Sequence, residues 1–103
     1  MAMHLVQFSS EAAINFGVED AILLWAISVK FRKSHLLGEN FHDGEIWIPL
    51  DTWELKFQLP FWSQSKITNV LKSLVNKGVV KKERRYEVRR EFSYNIAKEI
   101  YLE

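Results

Sequence analysis

The sequence predicts an α+β fold of about four helices and a small three-stranded antiparallel sheet. Three observations predict it. Apolar residues recur at helical spacing in the first three quarters of the chain, a proline separates two capped helical segments near the middle, and two β-prone runs follow a glycine stop at Gly78. At 103 residues the chain is read as one domain, 1–103, with a modest core.

Ser9 or Ser10 caps a short first helix through about Phe16, which Gly17 ends. A second helix is expected from Val18 to about Lys33, with Glu19 and Asp20 in its first turn and Lys30, Arg32 and Lys33 in its last, as the macrodipole favours. Its middle, "AILLWAI", is apolar on nearly every side, so it is the expected central core helix, with Trp25 packing there. "SHLLGENFHDGE" reads as a loop broken by Gly38, Asn40, Asp43 and Gly44. "EIWIP" is a short strand ended by Pro49.

A third helix is expected from Leu50 to Phe57, with Asp51 as N-cap and Glu54 returning the bond of a capping box. Pro60 stops it, because the residue before a proline disfavours helical geometry. The fourth helix runs from the cap Ser63 to about Lys77, with Trp62 stapling onto Ile67. Ile67, Val70, Leu71, Leu74 and Val75 make one buried stripe. Gly78 is the left-handed residue after the helix, letting Val79 fold back on Leu74. Gln64, Ser65, Lys66, Thr68, Asn69, Lys72, Ser73 and Asn76 remain outside, with no acid among them. Such a face tolerates phosphate.

Two helices joined by a short turn, the second with a polar face, match a helix-turn-helix over about 51–77. Beyond it, "VVKKERRYEVRREFSYNI" places Val88, Arg90, Phe92, Tyr94 and Ile96 on one side of a β-ribbon. With Ile46 to Ile48 as a third strand, this is the sheet and basic wing, about 79–96, of a winged helix-turn-helix. Trp47 and Trp53 are expected in its core.

Charge points the same way. The net charge is only +1, yet residues 1–60 carry 4 Lys/Arg against 8 Asp/Glu and residues 61–103 carry 10 against 5. The positive second half suits a polyanion partner. Lys81, Lys82, Arg84, Arg85, Arg89 and Arg90 are the candidate phosphate contacts of the wing. Ser63, Gln64, Ser65, Lys66, Thr68, Asn69, Lys72 and Ser73 are the candidate DNA contacts of the helix, and the amides of Gln64 and Asn69 can read adenine.

Catalysis has little support. His4, His35 and His42 are scattered without metal-ligand spacing, no nucleophile or phosphate-loop motif occurs, and no cofactor or metal is implied. The chain has no cysteine, and its longest apolar run, Ala21 to Ile27, is far short of a membrane span. The expected setting is the cytoplasm of a bacterial host, without enzymatic activity.

The strings "FGVEDAILLWAI", "FHDGEIWIP" and "LPFWSQSKITNVLKSLVNKGVV" resemble the N-terminal winged-helix domain of phage and plasmid replication-initiation proteins, the replisome organisers. The likeness covers about Phe8 to Val80, and its most specific elements are "PFWS", "LKSL" and Lys77-Gly78. It implies double-stranded origin or operator DNA as partner, with residues 63–76 in the major groove. The family's wing runs through an asparagine- and tyrosine-rich turn where this chain has "KKERRYEVRR", and its larger members carry a further C-terminal part for oligomerisation or helicase loading. A stand-alone DNA-binding protein of replication initiation, or a small transcriptional regulator, is therefore expected rather than a complete initiator. The alternative is a phage-encoded protein-interaction module or inhibitor that turns the same fold against a host nucleic-acid-binding complex, with a host or replication protein as partner. A homodimer is a further candidate arrangement, through the apolar surface of the second helix or the tail "NIAKEIYLE".

Overall fold

A computed structural model describes residues 7–84 and 92–102. Among them it forms helices α1 (Ser10–Phe16), α2 (Val18–Leu37), α3 (Thr52–Gln58), α4 (Gln64–Asn76) and α5 (Lys98–Tyr101), with strands β1 (Phe41–His42), β2 (Glu45–Ile46), β3 (Val80–Arg84) and β4 (Phe92–Ile96). No described helix is long and apolar enough to cross a membrane.

The first turns form as local chemistry dictates. Ser9 caps α1 by accepting the amide of Ala12 at 3.2 Å, and Gly17 ends it. α2 is apolar on most sides because neighbours surround it: Leu23, Leu24, Ala26, Ile27 and Phe31 are all buried. It runs a turn past the expected end at Lys33, since no breaker intervenes before Gly38, whose N–H caps the carbonyls of Ser34 and His35. Lys30 and Arg32 consequently serve neighbouring elements, Lys30 pairing with Glu54 and Arg32 Nε donating to the Tyr101 carbonyl at 2.9 Å.

The expected loop contains a hairpin. Asp43 and Gly44 both take positive φ, 55° and 81°, the two-residue turn that matches strand twist, and β1 pairs with β2 across it. This changes the sheet. Ile46 to Ile48 does not form a third full strand: Trp47 donates its N–H to the Asn40 carbonyl on the hairpin side. Only Ile48 meets β4, exchanging both backbone hydrogen bonds with Tyr94 at 3.1 and 2.8 Å. The result is two two-stranded antiparallel ladders joined by that bridge and by Asn95 Nδ2, which donates to the Ile46 carbonyl at 2.9 Å.

Asp51 caps α3 by accepting the amide of Trp53, while Glu54, expected to return the bond, reaches Lys30 instead. α3 buries Leu55, and Leu59 just after it, so Trp53 lies on the opposite face in solvent rather than in the core as expected. Trp47 is buried, and Trp25 and Trp62 pack against the core from its edge.

Among the described residues five helices stand where about four were expected, because the tail folds. Tyr101 of α5 is buried with its ring 5.6 Å from that of Phe31. The apolar middle of α2 and Tyr101 of the tail are thus buried within the chain, while Val18, Leu36, Leu37 and Leu102 stay exposed.

α4 ends as its sequence requires. Gly78 has φ 76° and the Val79 amide returns to the Leu74 carbonyl at 3.1 Å. Gly78→Val is expected to lower stability by about 1 to 3 kcal/mol, the cost of forcing a β-branched residue into left-handed backbone. Urea unfolding at constant m-value measures it.

Candidate nucleic-acid interface

α4 is capped at both ends. Ser63 Oγ accepts the Lys66 amide at 3.1 Å, and Ile67, Val70, Leu71 and Leu74 are buried on one side. Opposite them, Ser65, Asn69, Lys72 and Asn76 are exposed at the spacing i, i+4, i+7, i+11, which makes a single ridge. α4 carries no carboxylate, so the ridge offers amide, hydroxyl and ammonium groups only.

The flanks of that ridge are engaged with the scaffold. On one side Gln64 Nε2 donates to Thr52 Oγ1 at 2.8 Å, and Thr68 Oγ1 donates to the Gln64 carbonyl at 3.0 Å. On the other side Lys66 pairs with Glu19 at the start of α2. Ser73 Oγ donates to Asp20 at 2.9 Å, and Lys77 Nζ donates to the same carboxylate at 2.6 Å and to the Phe16 carbonyl at 2.7 Å. Of the helix residues expected to meet DNA, Ser65, Asn69 and Lys72 are open, whereas Gln64, Lys66 and Ser73 also hold α4 on α2 and α3, and Thr68 bonds back within α4 itself. Ser63 is spent on its cap. Sequence reasoning took Glu19 and Asp20 as helix-end charges and missed that they grip α4.

β3 brings a second group of cations. Its register with β4 runs from Val80↔Ile96 through Lys82↔Tyr94 to Arg84↔Phe92, so Phe92, Tyr94 and Ile96 share a face as expected. Lys82 Nζ lies 4.4 Å from the Phe92 ring centre and 6.0 Å from that of Tyr94, and Arg84 stacks 5.1 Å from Phe92. The charged groups themselves thus lie against the ring of Phe92, a cation–π arrangement on the exposed ribbon. Lys81 stands exposed on the other face. Arg85, Arg89 and Arg90, with Val88, lie outside the described residues.

Burial raises the Tyr94 phenol above its ordinary value. Tyr101 is raised by burial first, then by the charges of Glu45 and Glu99. Both bind their protons more tightly folded than unfolded, so their contribution is fully present below about pH 10 and is lost as pH rises towards the higher folded values. Stability should therefore fall above about pH 10, and Tyr101→Phe should flatten that fall in a series of urea midpoints against pH.

Among the described residues no group of three or more His, Asp or Glu side chains can hold a metal ion. His35 packs against the rings of Phe41 and Tyr101.

Known structures share this arrangement. An N-terminal domain of a DNA binding protein superposes with a TM-score of 0.64 at 18% identity, covering 94% of this chain and 75% of that one. A chain from the structure of a Rep–DNA complex gives 0.64 at 20% identity, covering 91% and 75%. The fold is shared. At the level of sequence no family model matches the chain, and a search of curated proteins finds no match. The resemblance first met in "PFWS" and "LKSL" thus holds for the backbone as a whole, the two neighbours having the fold of a DNA-binding and a Rep protein domain.

Proposed function

We propose that this chain is a winged-helix DNA-binding protein of phage or plasmid type, acting without catalysis in the bacterial cytoplasm, in replication initiation or as a small transcriptional regulator. α4 enters the major groove of duplex DNA, and the β3–β4 ribbon is the wing along the phosphate backbone. The observation that carries the reading is the open, acid-free ridge of Ser65, Asn69, Lys72 and Asn76, followed directly by Lys81, Lys82 and Arg84 on β3. Ridge and ribbon divide the work as DNA recognition requires, cations fixing position and an amide choosing bases. A fold shared with a chain from a Rep–DNA complex supports the same reading.

Fluorescence anisotropy on random and selected duplexes tests it. Binding should weaken linearly in log K against log salt, and Lys81→Ala with Arg84→Ala should weaken all duplexes alike while removing roughly 0.9 of slope per phosphate contact. Asn69→Ala should spare random duplexes and reduce preference for the selected site by about 1 to 3 kcal/mol. Absence of salt-dependent binding by the parent chain would overturn the proposal and direct the search to a protein partner.

A further inference from the structure

α4 carries two lysines, and they stand differently. Lys72 is exposed on the ridge, whereas Lys66, one turn before Asn69, is half-buried and paired with Glu19 at the start of α2. Its Nζ also lies 5.6 Å from the centre of the Trp62 ring. The cation at the N-terminal end of the helix is therefore answered twice within the chain.

Holding α4 in place does not need this pair. Asp20, the residue after Glu19, already anchors the helix by accepting Ser73 Oγ at 2.9 Å and Lys77 Nζ at 2.6 Å, and Gln64 Nε2 fastens the other flank to Thr52 at 2.8 Å. An ion pair as open as Lys66 and Glu19, with side chains 38% and 57% exposed, adds little to stability. What Glu19 does add is a carboxylate beside a helix that has none of its own. To a lysine, a carboxylate offers what a phosphate offers, an anionic oxygen. Because Asp20 is clamped onto α4, Glu19 stays at short range from Lys66, and such an intramolecular partner outcompetes one that must arrive from solution.

We propose that Glu19 withholds Lys66 from DNA, standing in for a backbone phosphate. This role rests on the reading of α4 as the helix that faces the duplex. Lys66 then supplies neither affinity nor salt dependence, and phosphate contact falls to Lys72 and to Lys81, Lys82 and Arg84 of the ribbon. Phosphates are alike on every duplex, so the competition lowers affinity without choosing sequence. Choice stays with Asn69.

Fluorescence anisotropy on random and selected duplexes, across a salt series, tests this. Glu19→Gln keeps the shape of the side chain and releases the lysine. While keeping the parent's circular dichroism, it should tighten binding to both duplexes by about threefold to tenfold, the effect of one charge pair near a surface. The slope of log K against log salt should steepen by roughly 0.9, one further phosphate contact, with the preference between the duplexes unchanged. Adding Lys66→Ala should take the gained slope back. Glu99→Gln removes the same charge from α5, which packs at Phe31, roughly 18 Å along α2 from Glu19 and beyond the screening length. It should change affinity by less than about twofold. A Glu19→Gln variant with the parent's slope, a double variant whose slope falls below the parent's, or a Glu99→Gln variant that gains as much would overturn the role of Glu19 while leaving the DNA reading in place. Should neither the parent nor Glu19→Gln bind any duplex, both fall together.

Discussion

Replacing Phe31 with alanine is expected to lower the unfolding free energy by about 3 to 5 kcal/mol, the largest single effect in the chain. Its side chain is fully buried at the centre of α2, and its ring meets that of Tyr101 at 5.6 Å. Truncation removes the ring from the core and leaves a cavity that α2, held on several sides, cannot close. It also removes one of the contacts of α5, which Arg32 and His35 hold as well. Against a total stability of roughly 5 to 15 kcal/mol for a domain, that is a large share, readable as a drop in urea midpoint. A change below about 1 kcal/mol would mean that the ring is not the centre of the core.

Leu74→Ala should cost about 2 to 5 kcal/mol. Leu74 is fully buried beneath α4, and its carbonyl receives the Val79 amide that turns the chain into β3. The main-chain bond can survive the substitution while the packing does not. Thermal unfolding followed by far-ultraviolet circular dichroism checks the size. A variant as stable as the parent would mean that the buried stripe of α4 is misassigned.

α4 was legible in the sequence because its determinants are local. A serine cap, an apolar residue every third or fourth position and a glycine stop all lie within sixteen residues, and each constrains only its neighbours. The hairpin turn at Asp43-Gly44 is just as local, but strands of two residues give too short a period to be recognised beside a general run of breakers. Trp53 was misjudged for a different reason. α3 carries two apolar pairs at helical spacing, Leu55 with Leu59 and Trp53 with Phe57, and periodicity cannot say which of two equivalent stripes faces inward. The answer lies in what packs on the helix. The grip of Glu19 and Asp20 on α4 was hidden for the same reason, since an acid at a helix start satisfies the local rule whether or not a distant lysine comes to meet it. The reduced sheet rests on a pairing far apart in the chain, the single bridge of Ile48 with Tyr94, which no local pattern announces.

The clamp formed by Lys77, Ser73 and Asp20 bears on any attempt to engineer this chain. Moving residues 64–76 into another scaffold would transfer the amides and ammonium groups of α4 without the contacts that fix the helix against α2. Those contacts run to the carboxylate of Asp20 and the Phe16 carbonyl, more than fifty residues earlier in the chain. A working chimera would have to import the α1–α2 junction along with the helix, and a library that randomises the exposed ridge should hold positions 16, 20, 73 and 77 constant.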